Sequence, residues 1–137
     1  MNAVIDTCVI LDLLQRREPF LEDAYKIFQL SAGNKINGFI AAKSTTDIYY
    51  LMHKVFHDDT QTRKALSTLF RIFKILDTTA LDCQLAVLSP IGDYEDAVMD
   101  ETAFRSGMDC IITRNIQDYN NSIVPVYLPH DFLELIK

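Results

Sequence analysis

Short apolar runs of strand length alternate along this chain with longer segments of helical periodicity, and little else in the sequence constrains the fold as strongly. Residues 3–6 (AVID), 36–41 (INGFIA), 74–77 (KILD), 109–113 (DCIIT) and 123–127 (IVPVY) are strand candidates. Residues 8–15, 20–32, 44–57, 60–73, 79–88 and 93–106 read as helices between them, with a last helix over 130–136. Leu66, Leu69, Phe70 and Phe73, for instance, recur at helical spacing. Pro19 marks a first helical turn, Ser44, Thr45 and Thr46 open a helix, and Gly33-Asn34 and Gly107 close theirs. Strands without polar alternation are covered on both faces, and parallel strands need a crossover helix between them. The pattern therefore predicts an α/β fold: a three-layer α/β/α arrangement on a central parallel sheet of about five strands, Rossmann-like. Pro125 removes a ladder donor from the last run, which places that strand at an edge.

At 137 residues the chain is expected to form a single domain over 1–137. A core of this size needs neither metal nor disulfide to fold. Cys8, Cys83 and Cys110 are too few and too scattered for a zinc site, and read as small apolar residues. No apolar run approaches the ~20 residues of a membrane span. The start, MNAVID, has no basic leader, so the expectation is a cytoplasmic protein away from membranes. Thirteen basic residues against 19 acidic ones leave a net charge of −6. That excludes coating nucleic acid by bulk electrostatics and leaves room for a local, metal-mediated phosphate contact. The acids comprise 14 Asp and only 5 Glu, a bias toward caps, turns and hard-metal sites.

In doubly wound sheets, ligands bind beyond the carboxyl ends of the strands. Functional acids should then end strands or open the helices that follow. Asp6 ends the first strand; capping the next helix is its alternative role. Asp47 stands three residues after Ser44, a capping-box spacing, yet shares a helix face with Leu51 beside Ile48 and Val55. Asp96 begins the stripe continued by Met99 and Ala103, while Asp93 and Glu95 read as solvated. Thr113, Arg114, Asn115 and Asp118 leave the fourth strand in a turn. Each acid alone is explained by capping. Together they place carboxylates at several strand ends, and such a cluster repels itself unless divalent cations neutralise it. Oxygen ligands without His or Cys suit Mg²⁺ or Mn²⁺, whose chemistry is water activation and phosphoryl-oxygen stabilisation.

VIDTCVILDLL, TTDIYYLMHK, DYEDAVMDETAFRSGMDCIITRNIQDY and IVPVYLPHDFLELI together resemble a PIN domain, the ribonuclease family that includes VapC-type toxins of toxin–antitoxin pairs. The likeness spans nearly the whole chain, and the third segment is its most specific part. It implies a metal-dependent endoribonuclease with Asp6, Asp47, Asp96 and Asp118 as metal ligands. Asn115 is an alternative for the fourth role. Thr7, Thr113 and Asn115 would orient ligands and water, and Lys43 and Arg114, with Arg16 and Arg17 farther out, would meet RNA. An antitoxin partner and a homodimer are also implied. Three positions depart from the family's commoner residues: Asp47 stands for Glu, Cys8 for Asn and Tyr119 for Phe.

Other residues carry less. His53, His57 and His130 read as surface residues. Tyr49, Tyr50 and Phe56, with the apolar set around Phe70, exceed what one helix face needs and leave core and interface both open. Competing functions are a phosphatase-like hydrolase on a similar fold, a receiver-type signalling domain and a non-catalytic PIN-type scaffold. Cys8 breaks the Asp-x-Asp start of one phosphatase superfamily. Tyr127-Leu128-Pro129 lacks the Lys a receiver needs, although Asp77 could supply its acid.

Overall fold

A computed structural model describes residues Met1–Lys137. Five parallel strands form one sheet: β1 (Asn2–Ile5), β2 (Asn37–Ala41), β3 (Lys74–Leu76), β4 (Cys110–Ile112) and β5 (Val126–Tyr127), in the order β3-β2-β1-β4-β5. Seven helices cover it: α1 (Thr7–Leu14), α2 (Leu21–Ala32), α3 (Ala42–Phe56), α4 (Asp59–Ile72), α5 (Ala80–Ala86), α6 (Tyr94–Arg105) and α7 (Pro129–Leu135). None is long and apolar enough to cross a membrane.

The inner strands β1, β2 and β4 are buried on both faces, as their unbroken hydrophobicity requires. Ala3, Ile5, Ile40, Cys110 and Ile112 join one core with residues of α1, α2, α3, α4 and α7. Val4, Ala41 and Ile111 point the other way and pack with Ala86 of α5 and Ala97, Val98, Met99 and Ala103 of α6. The period-two alternation within each strand thus separates two cores and yields three layers. Gly38 permits close layering under β2: a Cβ there would stand 2.5 Å from Ser31 Oγ and 2.7 Å from the Phe73 ring.

Strand β1 lies at the sheet centre. The chain winds outward through β2 and β3, then returns to β4 on the other side of β1. The topological switch therefore falls between the carboxyl ends of β1 and β4, where Asp6 follows Ile5 and Thr113 follows Ile112. The Asp6 amide bonds the Ile112 carbonyl there at 2.9 Å.

Several local expectations are corrected. The helix expected to open at Ser44 begins at Ala42, with Ala41 as a cap lacking any side-chain bond. Ser44 is fully buried, and its hydroxyl makes no capping bond to Asp47. Pro19 lies in the turn before α2. The fifth strand is an edge, as Pro125 requires, but only Val126–Tyr127 pair. Its approach is held instead by Asp100 of α6, whose carboxylate accepts the Ile123 amide at 2.9 Å and the Val124 amide at 3.3 Å.

Candidate functional site

Asp6 has two local tasks. Its backbone is extended (φ −69°, ψ 152°), and its Oδ1 accepts the Thr7 amide at 2.8 Å, so it caps α1. Its Oδ2 faces β4, where the Thr113 hydroxyl donates to it at 2.8 Å and the Tyr119 hydroxyl at 3.4 Å. Thr113 Oγ1 also accepts the Asn115 amide at 3.1 Å, which ties the turn after β4 to the same point. One oxygen of Asp6 thus caps α1 while the other faces the exit of β4.

Asp96 enters from the first turn of α6, after Asp93 caps that helix by accepting the Asp96 amide at 3.0 Å. Its carboxyl pKa is pushed up to about 6, first by burial and then by the charges of Asp6, Asp93 and Asp118. The Tyr119 hydroxyl, as a donor, pulls the other way. Asp118 itself is exposed on the 3-10 turn Ile116–Tyr119, which packs on α6. Asn115 is exposed and caps that turn without a side-chain bond.

Asp47 forms a second group. It is exposed on α3 and lines one crevice with Thr7, Tyr50, Leu51 and Glu95. Partial burial of its carboxyl group and its contact with Glu95 raise its pKa, while Lys43 opposes them. Glu95, expected to be merely solvated, is 60% exposed yet accepts from Lys43 Nζ at 3.2 Å and stands against Asp47. It belongs to the acidic crevice. Its place one residue before Asp96, on the first turn of the same helix, was the available signal.

The basic rim differs from expectation. Arg114 donates through Nε at 2.6 Å and Nη2 at 3.1 Å to Asp12, a carboxylate only 1% exposed, and its guanidinium lies 3.9 Å from the Phe20 ring centroid. It is a structural cation joining α1 to the exit of β4. Arg17 lies 4.0 Å from the same carboxylate and bonds Gln15, and Arg16 is exposed. Asp12 was legible as an acid inside the apolar run VILDLL, where a charge needs a partner.

No three His, Cys, Asp or Glu side chains stand at mutual metal-ligating spacing. The chemistry of the donor set nevertheless fits a hard divalent cation. Asp6, Asp96 and Asp118 are like charges held near one another, and Asp96 bears the consequence in its raised pKa. Thr7 Oγ1, next in sequence to Asp6 and in the crevice that Asp47 lines, is buried without any hydrogen-bond partner. All donors are oxygen, the set preferred by Mg²⁺ and Mn²⁺.

Sheet order and crevice together define a doubly wound α/β protein with an acidic, oxygen-rich site at its topological switch point. The chain belongs to the PIN domain family, whose model matches residues 2–117. Among solved structures, a toxin–antitoxin complex from Klebsiella pneumoniae is similar at 23% identity and TM-score 0.67, over 93% of this chain and 97% of that one. VapBC-1 from nontypeable Haemophilus influenzae is similar at 16% identity and TM-score 0.68, over 95% and 99%. VapBC2 from Rickettsia felis, bound to a DNA fragment from their promoter, is similar at 16% and 0.67, over 93% and 98%. These likenesses establish the shared PIN fold. A search of curated protein sequences finds no match.

Proposed function

We propose that the chain, as one PIN domain over residues 1–137, is a VapC-type toxin: a Mg²⁺- or Mn²⁺-dependent endoribonuclease of the cytoplasm. The observation that carries this reading is the pair Asp6 and Asp96 at the switch point, with Asp96 raised to about 6 by burial and like charge. Asp6 and Asp96 hold the cation, with Asp118 and Asp47 as further ligands and Asn115 as an alternative to Asp118. When bound, the cation supplies charge neutralisation and Lewis-acid stabilisation of phosphoryl oxygens. The chain's own residues do the rest. The Thr7 amide and Thr113 hydroxyl hold the Asp6 carboxylate in one orientation. Without the cation Asp96 holds its proton up to about pH 6, so cation binding there displaces a proton as pH falls toward that value. Lys43, which pairs with Glu95 at the crevice, is the side chain we assign to phosphate contact.

The family resemblance points to products with 5′-phosphate and 3′-hydroxyl ends. The similar structures include toxin–antitoxin complexes, which supports an antitoxin partner for this chain. Tyr50, Val55 and Phe56 of α3 and Phe70 of α4 are exposed apolar residues suited to such a partner or to a homodimer.

The test is cleavage of a mixed RNA pool by purified protein with Mn²⁺, with the fragment ends mapped. Asp6→Asn and Asp96→Asn should each lower the rate by about a hundredfold or more while leaving the circular dichroism spectrum intact. Cleavage that persists in excess EDTA, or an Asp96→Asn protein with normal turnover, would overturn the reading. A folded protein that binds an antitoxin but cleaves no RNA would be the scaffold instead.

A further inference from the structure

A cavity of about 320 Å³ opens beside the exit of β4, lined by Phe20, Asp23, Arg114, Leu128, Pro129 and His130. Phe20 occupies the cap position of α2 and makes no side-chain cap bond. Ser, Thr, Asp or Asn would serve a helix start there, so capping does not account for the ring. Core packing does not account for it either, because Phe20 is 39% exposed. The Arg114 guanidinium lies 3.9 Å from the ring centroid and covers one face. Asp12 holds that guanidinium in place through Nε and Nη2. The result is a braced aromatic surface in the wall of a cavity.

Charge decides what fits there. Arg114, the one Lys or Arg on the wall, is already matched by Asp12. Asp23 adds a carboxylate whose ion-pair partner, His130 Nδ1, stands 3.7 Å away, too far for a hydrogen bond. A phosphate would meet that carboxylate and no unmatched cation. A flat, neutral ring with N–H groups on its edge meets a stacking face and a free acceptor, which is how proteins take up unpaired RNA bases. Arg114 directly follows Thr113, whose hydroxyl donates to Asp6 Oδ2 at 2.8 Å, so the cavity and the candidate cation site share the exit of β4. We propose that the cavity receives one unpaired base flanking the scissile phosphate, stacked on Phe20 and read at its edge by Asp23. This rests on the ribonuclease reading above. Asp23 accepts from an exocyclic amino group, so amino-bearing bases are favoured over uracil, whose carbonyls flank its one ring N–H.

The experiment titrates short single-stranded RNAs of equal length with the full chain in EDTA, where neither cleavage nor a bound cation contributes. One RNA carries 2-aminopurine, whose fluorescence falls when its ring stacks on an aromatic side chain. Phe20→Leu keeps an apolar side chain but removes the aromatic face, and Phe20→Tyr restores it. Phe20→Leu should weaken binding about five- to a hundredfold and abolish the quenching, while Phe20→Tyr stays near wild type. Wild type should prefer oligocytidine to oligouridine about tenfold, and Asp23→Asn should remove that preference. Should Phe20→Leu melt far below wild type, the quenching by wild type and the Asp23→Asn comparison decide the proposal. Wild-type affinity in a folded Phe20→Leu, no quenching, or equal affinity for the two strands would each overturn it and leave the cavity to a protein partner. Cleavage in Mn²⁺ with any of those results overturns the base site alone. RNA that is bound and quenched through Phe20 but not cleaved in Mn²⁺ overturns the ribonuclease reading alone, and no RNA binding by wild type overturns both.

Discussion

Burial alone does not single out the acids at the switch point. Asp12, Asp82 and Asp100 are each only 1% exposed, yet all three are paired within the fold. Asp12 is held by Arg114, Asp100 by two backbone amides, and Asp82 by Arg105 and the Thr102 hydroxyl. Burial pushes the Asp82 carboxyl up, but Arg105, the Thr79 amide and Thr102 outweigh it and hold the group below its ordinary value. Asp96 is the opposite case: burial and three neighbouring carboxylates leave it near 6. The native state therefore binds its proton more tightly than the unfolded chain. Ionised Asp96 costs stability, a cost absent below the ordinary value of 3.8 and reached in full as pH rises through about 6. In EDTA, Asp96→Asn should accordingly raise unfolding free energy at pH 7.5 by about 1–2 kcal/mol, after allowance for solvent screening of a half-buried group. The gain should fade as pH is lowered toward 4. Urea unfolding at several pH values measures it; a gain independent of pH would mean that charge is not the cause.

At the level of elements, each wall of the site is fastened by a pairing distant in sequence. Helix α1 is joined to the exit of β4 by Asp12 and Arg114, and α5 to α6 by Asp82 and Arg105, whose Nη2 also bonds the Asp77 carbonyl at 2.5 Å. The turn carrying Asn115, Asp118 and Tyr119 starts directly at Arg114. Arg114→Ala should therefore act on folding before it acts on RNA. It leaves a buried carboxylate with only Arg17 nearby, a loss of about 3 kcal/mol. Denaturant unfolding should show that loss without any RNA present. If Arg114→Ala keeps wild-type stability and loses only RNA affinity, then the cation serves the substrate and its bond to Asp12 is incidental. The helix start at Ala42 matters similarly: with α3 starting two residues earlier than expected, Ser44 is buried and no longer at a capping position.

For the molecule as a whole, two apolar cores on either side of one sheet hold the fold without help from the site. The acidic crevice lies at the strand ends, outside both. Removal of divalent cations with EDTA should leave the far-ultraviolet circular dichroism spectrum unchanged. Adding Mn²⁺ at about 100 times its dissociation constant should then raise stability by about 2.7 kcal/mol, as ligand linkage requires. The rise should be absent in Asp6→Asn. Loss of helical signal on chelation would show that the cation is part of the fold.

The order of elements, the parallel sheet, the edge position of the last strand and the placement of Asp6, Asp47, Asp96 and Asp118 after strands or early in helices were legible in the sequence. Local chemistry determines each of these: apolar runs without alternation, proline's missing donor, and acids at strand ends or in the turns and helices that follow. The partners of those acids were not legible. Tyr119 reaches Asp6 across 113 positions, Arg114 reaches Asp12 across 102, and Lys43 reaches Glu95 across 52. Periodicity says which face of an element a side chain occupies, not which distant side chain will stand opposite. Asp47, Glu95 and Lys43 became one group, and Arg114 a structural cation, only when the sheet brought β4, α1, α3 and α6 to a common end. Pairing across such distances depends on how layers close over one another, and that is decided by tertiary packing.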